Sequence, residues 1–316
     1  MSILTSLNPA AIPSEDEALR AEVRAFLRDL KVNHPPHRRA RSWSGYDPEF
    51  SRELGRKGWL GITLPRELGG GGRSAFARYV LVEEFLCAGA PVGSHWIADR
   101  QSGPLILKYG TPAQQQFYIP RICRGEAFFC IGMSEPNSGS DLAGMQCRAE
   151  LDGDEYVITG QKVWTTEGQW ADKGMLLART NFDLPKHQGI TYFVLPMRQP
   201  GVLVRPLKQM NYHSSFNEVF MTDARVPGDH VVGEVNKGWA VGLATLAHER
   251  RFGNIASRWK HTGAGGRAVD EARHEHDEYM ETYKWYPQRA GRVDLVVSQM
   301  VERGLSADRD LRQEVM

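Results

Sequence analysis

The chain has 316 residues, which is long enough for two or three packed units with a sizeable core. Lysine plus arginine total 39 and aspartate plus glutamate total 38, so the formal net charge is +1 and a nucleic-acid-binding protein is disfavoured. The sequence has no apolar run of membrane-spanning length and no signal peptide pattern at its N-terminus, so we expect a cytoplasmic protein without a membrane span.

The cysteine and histidine patterns point away from metal chemistry. The four cysteines show no paired metal-ligand spacing and are too sparse for a disulfide framework, so reduced thiols are expected. His274 and His276 lie in a strongly charged stretch, which we interpret as a solvated surface. We therefore predict no metal site.

Helical signals occupy residues 14 to about 125. Ser14 and Glu17 have the spacing of a capping box, and apolar residues at helical spacing follow them. Asp47 before Pro48 and Thr111 before Pro112 predict two further helix starts, with the proline in the first turn. A second apolar run, at 76–86, is also typical of a helix.

From about residue 126 the pattern changes to short β-rich runs separated by turn residues. They are the segments 146–151, 156–164, 175–180, 190–195 and 202–207. Strands do not alternate with helices, and no Gly-x-Gly-x-x-Gly follows a strand, so a Rossmann fold is disfavoured. The pattern predicts an antiparallel β-domain that forms a barrel or a sandwich.

Helix resumes at Lys237, where Trp239, Leu243 and Leu246 form one apolar stripe. The predicted fold class is therefore α+β, with an incomplete C-terminal helical domain. The expected domains are an N-terminal helical domain at 1–125, a β-domain at 126–236 that contacts ligands, and a C-terminal helical domain at 237–316.

Two segments carry most of the chemical information. The first, at 132–141, combines the hydroxyls of Ser134 and Ser140 with Gly139, where a positive φ is cheap. The second, at 162–166, sets the flat apolar wall of Trp164 before two threonines. Together these residues suit a planar heteroaromatic ring with polar edges and a long tail.

In these two motifs, and in their order and separation, the sequence resembles the acyl-CoA dehydrogenase family. Further segments follow in the order of that family, so the resemblance covers roughly residues 15 to 255. They are 59–62, 65–70, Glu83 with Glu84, 109–111 and 201–233.

The resemblance implies flavin adenine dinucleotide (FAD), since no side chain can itself accept a hydride. It places Ser134 at the pyrimidine end of the isoalloxazine, Trp164 against the ring and Thr166 at N5, and it places Ser140 at the coenzyme A part of the substrate. The cofactor-binding residues that it implies are Ile131, Gly132, Ser134, Gly139, Trp164, Thr165 and Thr166.

The base position resembles the isovaleryl and long-chain branches of the family, in which a glutamate stands directly before an arginine. Here these residues are Glu249, as the base, and Arg250, lining the substrate site. Helical geometry alone places Glu249 at the edge of the apolar stripe, with Gly242 and Gly253 beside it as a cleared groove for an acyl chain. The alternatives are a salt bridge to Arg250 or an exposed helix acid.

The resemblance thus implies an enzyme of fatty acid metabolism that oxidises an acyl-CoA thioester at Cα–Cβ. Glu249 removes the α-proton, flavin N5 accepts the β-hydride, and an electron-transfer flavoprotein or similar acceptor reoxidises the cofactor. A homodimer or homotetramer is expected. Two alternatives stay open, an acyl-CoA oxidase-like flavoenzyme and a non-catalytic truncated homologue that acts as a subunit of a heteromer.

The C-terminal part departs from the family pattern. We find no Arg-x-x-Phe-Gly element after Arg267, which in the family helps to hold the flavin pyrophosphate. Members of the family continue with further long helices, so we expect a C-terminally truncated sequence.

Overall fold

A computed structural model describes residues 12–250 and 293–315 of the chain. Three sequence predictions lie outside these residues: the charged surface at His274 and His276, the role of Gly253 in a groove, and the departure after Arg267.

The described residues form two compact units. One contains the chain up to Gly45, Arg73–Val92 and the residues from 293 onward, and the other contains Tyr46–Gly72 and the chain from Gly93 to residue 250. The three domains drawn from sequence composition stay a prediction.

Ten α-helices occur in the described residues, and none of them is both long and apolar enough to cross a membrane. They are α1 (Ser14–Asn33), α2 (Pro36–Arg39), α3 (Pro48–Arg56), α4 (Ala75–Ala88), α5 (Gly93–Ile97), α6 (Gly103–Tyr109), α7 (Pro112–Cys123), α8 (Gly238–Arg250), α9 (Val293–Glu302) and α10 (Arg309–Val315).

In the first unit, α1 packs against α4 around a buried arginine. Arg20 is fully buried and its guanidinium forms ion pairs with Glu17, Glu83 and Glu84. The capping box predicted at Ser14 is wrong, because Pro13 occupies the N-cap position and makes no side-chain cap. Glu17 instead turns towards Arg20, where it compensates a buried charge.

In the second unit, the predicted helix starts at α3 and α7 are confirmed. The Asp47 carboxylate accepts a hydrogen bond from the Phe50 amide at 3.0 Å. Thr111 and Gln114 form a complete capping box, each side chain accepting from the other residue's backbone amide. Each cap thereby satisfies one of the amides that a helix start leaves unpaired, and the Gln114 side chain also satisfies the amide of Thr111.

The sheet of the second unit has seven strands, of which the sequence analysis recognised five. The strands are β1 (Phe129–Gly132), β2 (Arg148–Asp152), β3 (Glu155–Thr166), β4 (Lys173–Arg179), β5 (Ile190–Pro196), β6 (Val202–Leu207) and β7 (Phe216–Pro227). The missed strands are β1 and β7. β1 is only four residues long, and β7 ends in a proline and includes several charged residues.

The prediction of a purely antiparallel sheet is wrong, because the sheet is mixed. β5 pairs antiparallel with one edge of β4, while β1 and β2 follow one another along its other edge, both parallel to it. The order then continues antiparallel from β2 through β3 and β7 to β6. Strand direction depends on long-range pairing, which the alternation of residues within a strand does not encode.

Both faces of the central strands are buried. Met175 and Leu177 of β4 join a cluster with α6, α7 and α8, whereas Leu176 and Ala178 join a second cluster with β3 and β7. Successive residues of a strand point to opposite faces, so a strand buried on both faces reads as a continuous apolar run. This double burial makes the middle of the sheet a rigid support for the turns at its edge.

Candidate functional site

The first sequence motif folds into a turn organised by the Glu135 carboxylate. It accepts hydrogen bonds from the amides of Gln146 at 2.6 Å and Cys147 at 2.9 Å, and its third partner is the Lys162 ammonium at 2.8 Å. Glu135 and Ser138 also exchange backbone hydrogen bonds, which closes the turn. Lys162 is fully buried, so this ion pair is a structural element of the motif.

The same residues bring the two motifs together. The amide of Val163 donates to the carbonyl of Ser134 at 2.9 Å, and Lys162 Nζ donates to the carbonyl of Met133 at 3.1 Å. The sequence analysis did not assign a role to Glu135 or Lys162. The signal was present, since each is a charged residue inside a motif of small or apolar residues.

Trp164 stands out from this junction on a strained backbone. Its φ is +61°, it lies at a register shift between β3 and β7, and its side chain is 62% exposed. Such a left-handed conformation costs a non-glycine residue about 1–2 kcal/mol. Gly139, where a positive φ would be cheap, does not adopt one.

Two hydroxyls lie close to Trp164 in the fold without protein partners. Ser134 and Thr166 are half-buried, and neither hydroxyl makes a hydrogen bond within the described residues. Thr165 is different: it is 1% exposed, and its carbonyl accepts from Asn217 at 2.9 Å. Its side chain is therefore not part of the exposed surface around Trp164.

The remaining residues predicted for this surface occupy β1 and the tip of the turn. Gly132 is buried in β1, where an added Cβ would lie 3.3 Å from Leu176 and 3.4 Å from Lys162. Ile131 is half-buried beside it. Gly139 and Ser140 are exposed at the tip of the turn, next to the Asp141 carboxylate that pairs with Lys186 at 2.9 Å.

A buried arginine that the sequence analysis missed closes the far end of the turn. The guanidinium of Arg179 donates to the carbonyls of Ala143 and Met145, and to those of Lys186 and Gln188 in the following loop. The signal was an arginine at the end of an otherwise apolar strand. Arg179 thus fixes the turn to the loop that carries Lys186.

Helix α8 packs against β5 and α6, and Glu249 lies exposed near its C-terminal end. The predicted apolar stripe is only partly right, because Leu243 is 49% exposed whereas Val241 and Thr245 are buried. Thr245 Oγ1 and the Tyr192 hydroxyl lie 3.0 Å apart in a hydrogen bond that ties α8 to β5. The side chain of Arg250 lies outside the described residues.

The predicted groove at Gly242 is also wrong. A Cβ at this position would lie 2.9 Å from Cδ1 of Leu177 in β4. The missing side chain therefore lets the helix approach the sheet, which is a packing role.

A π-helical turn at Ala98–Ser102 packs against α8 and β1. Gln101 and Ser102 are buried, and neither side chain makes a hydrogen bond within the described part of the chain. Rare π-helical turns are frequent at functional sites. This turn was not predicted from the sequence. The available signal was the polar pair Gln101 and Ser102 before Gly103.

Comparisons with known proteins agree with this arrangement. Residues 13–126 match the acyl-CoA dehydrogenase N-terminal domain and residues 130–224 match the acyl-CoA dehydrogenase middle domain. The acyl-CoA dehydrogenase IpdE1 of Mycolicibacterium smegmatis is 36% identical over 278 residues, an alignment that covers 82% of this chain and 70% of the relative. The chain belongs to the acyl-CoA dehydrogenase family.

Two further acyl-CoA dehydrogenases define the extent of the match. IpdE1 of Mycobacterium tuberculosis is 38% identical over 251 residues, which are 77% of this chain and 65% of that relative. The solved structure named "Tcur3481-Tcur3483 steroid ACAD" has a TM-score of 0.71 and 32% identity, and the match covers 98% of this chain and 72% of that one. The chain thus spans less than two thirds of the length of the first relative.

Acyl-CoA dehydrogenases generally depend on FAD, and the residues present fit such a group. The exposed Trp164 is a flat apolar surface, and the hydroxyls of Ser134 and Thr166, which have no partner among the described residues, offer hydrogen bonds to the polar edge of a ring.

Proposed function

We propose that this protein is an FAD-dependent acyl-CoA dehydrogenase, which oxidises an acyl-CoA thioester at Cα–Cβ. One observation carries the proposal: the hydrogen bond from Val163 to Ser134 joins the two motifs, and Trp164 is exposed beside two hydroxyls that have no partner in the described part of the chain. A ring-binding surface explains why a tryptophan is held exposed on a strained backbone.

In this proposal the chain binds the cofactor with residues from the β3 bulge and β1. Trp164 packs against the ring, Ser134 and Thr166 hydrogen-bond its edge, and Ile131 and Gly132 contribute backbone contacts. When bound, the flavin would supply the hydride acceptor that no side chain offers. Thr165 acts from beneath, because its buried position removes its side chain from the surface.

The substrate would lie across the tip of the turn and α8. Ser140 is exposed there and can contact the coenzyme A part, next to Gly139, which is assigned to the cofactor, while Arg250 lines the acyl site. Glu249 takes the α-proton of the thioester. Since Glu249 is exposed, a bound acyl group, and not the protein core, would have to exclude water from its carboxylate.

The partners proposed are an acyl-CoA substrate and an electron-transfer flavoprotein or similar acceptor. Self-association as a homodimer or homotetramer, and a cytoplasmic location, are parts of the same proposal. A second candidate is a non-catalytic subunit of a heteromer. It is favoured by the solved relative whose name joins two components, Tcur3481 and Tcur3483.

The experiment is a visible spectrum of the purified full chain after reconstitution with FAD. We expect a flavin band that bleaches when acyl-CoA is added without oxygen, and that returns slowly in air. Rapid return in air would favour the oxidase. If the chain retains no flavin and shows no bleaching, the remaining candidate is the non-catalytic subunit of a heteromer.

Glu249→Gln is expected to keep flavin and acyl-CoA binding while it slows bleaching by about 10²–10⁴-fold, because a positioned general base contributes that much. Stopped-flow absorbance measures the rate. Glu234→Gln is the control, since Glu234 is also an exposed acid and pairs with Lys237 outside the proposed site. Bleaching of Glu249→Gln at the parental rate would remove Glu249 from the mechanism.

A further inference from the structure

Beneath the Trp164 bulge lie three buried oxygen atoms that have no hydrogen-bond partner within residues 12–250 and 293–315. They are Thr165 Oγ1, Glu167 Oε1 and Asn217 Oδ1. Their side chains are 1%, 7% and 0% exposed. Buried polar atoms are nearly always paired, so three unpaired oxygens close together in the fold indicate an incomplete hydrogen-bond set.

The pairing of β3 with β7 places these residues together. Thr165 lies opposite Asn217 in the register, and the ladder continues where the amide of Glu167 donates to the carbonyl of Ser215 at 2.8 Å. Glu167 is the first residue of the turn after β3 and has a φ of +54°, and its side chain is buried like that of Thr165.

The orientation of the Asn217 amide is determined by its neighbours. Its Nδ2 donates to two acceptors, the carbonyl of Thr165 and Oε1 of Gln169, a position that the amide oxygen could not occupy. Asn217 Oδ1 therefore remains as an acceptor. Asn217 Oδ1 and Glu167 Oε1 can each accept a hydrogen bond, and within the described residues neither of them does.

In the part of the chain that the structure describes, no charged side chain forms an ion pair with Glu167. The charged groups of the surrounding segments have partners elsewhere: Lys162 with Glu135, Glu218 with Gln161, Asp172 with Arg198, and Lys208 with the ring of Tyr212. His213 and Tyr46 are the other titratable groups of these segments. Burial, the one resolved cause, raises the pKa of Glu167 to about 7.

We propose that Glu167 is a positioning residue that holds a proton beneath the bulge. As the neutral acid it can stay buried directly after Thr166 without a counter-charge, and it thereby keeps Trp164 and Thr166 in the geometry that binds the flavin ring. Loss of the proton leaves a buried, unpaired charge, which only solvent entry or a shift of the bulge can relieve. The effect on the ring rests on the proposed function.

The first test is the dissociation constant of FAD between pH 6 and pH 8, measured by flavin fluorescence. For the wild type we expect affinity to fall about tenfold per pH unit above pH 7, because only the protonated form is competent. Glu167→Gln is permanently neutral and should be independent of pH. Glu218→Gln, on the opposite face of β7, should behave as the wild type; Glu167→Gln with the wild-type profile overturns the proposal.

The second test needs no flavin and measures the thermal midpoint of the ligand-free chain. Burial raises the pKa of folded Glu167 from its usual 4.5 to about 7, so its contribution to stability is complete below pH 4.5 and is lost as pH rises towards 7. Relative to Glu167→Gln, the wild-type midpoint should therefore fall across this range. If the difference in thermal midpoint between the wild type and Glu167→Gln stays constant across this pH range, Glu167 holds no proton and the proposal is overturned, whether or not flavin binds.

If FAD binds at no pH, the proposed function fails, and the thermal test alone decides about Glu167. If Glu167→Gln does not fold, the infrared spectrum of the wild type takes its place. A neutral carboxylic acid band at pH 6 that disappears by pH 8 supports the proposal, and its absence at pH 6 overturns it.

Discussion

At the scale of single residues, two lysine–carboxylate pairs of similar geometry have different surroundings. Lys162 Nζ lies 2.8 Å from Glu135 and is fully buried, whereas Lys186 Nζ lies 2.9 Å from Asp141 and its side chain is 54% exposed. Burial of a charge is expensive, so a buried pair must stay complete, while an exposed pair contributes little. The two pairs lie at the start and the tip of the same turn.

We expect Lys162→Met to destabilise the protein by about 3–5 kcal/mol, since it leaves the Glu135 charge buried without its cation. Lys186→Met, the matched control, should cost about 0–1 kcal/mol. Urea denaturation measures both. Similar losses for the two variants would contradict a structural role for the Lys162 pair.

At the scale of elements, helix α8 contacts the sheet through two glycines, and one of them is packed more closely than the other. A Cβ at Gly238 would lie 2.6 Å from backbone atoms of Thr191 and Tyr192, which cannot move without distorting β5. A Cβ at Gly242 would meet only the end of the Leu177 side chain. That side chain can change rotamer, whereas a strand backbone cannot.

Gly238→Ala should therefore destabilise the protein by about 1–3 kcal/mol through overpacking. Gly242→Ala should be close to neutral, because about 1 kcal/mol of helix propensity offsets the movement of Leu177. Thermal denaturation ranks the two variants. An equal or larger loss of stability for Gly242→Ala would contradict the close packing of Gly238 against the β5 backbone.

At the scale of the whole molecule, a real cofactor site must stabilise the fold by mass action. FAD at a hundredfold excess over its dissociation constant should add about 2.7 kcal/mol to the free energy of unfolding, seen as a rise in the thermal midpoint. Trp164→Ala should lose most of this rise, because the exposed indole contacts the ring in the proposed site. An equal rise in both proteins would place the flavin elsewhere.

Local sequence signals determined the local structure. Thr111 with Gln114 and Asp47 with Pro48 marked two helix starts, and five strands followed from short β-rich runs, because caps, turns and alternation act over a few residues. The two motifs at 132–141 and 162–166 were recognised for the same reason, because their residue types, order and separation can be read directly from the sequence.

Only the tertiary structure decided what depends on distant partners. It set the parallel pairing of β1 and β2 with β4, gave Trp164 and not Gly139 a left-handed backbone, and left Glu249 exposed on α8. It also gathered Thr165, Glu167 and Asn217 under one bulge. Burial and pairing of a side chain are properties of its neighbours in space, and the composition around it in sequence does not contain them.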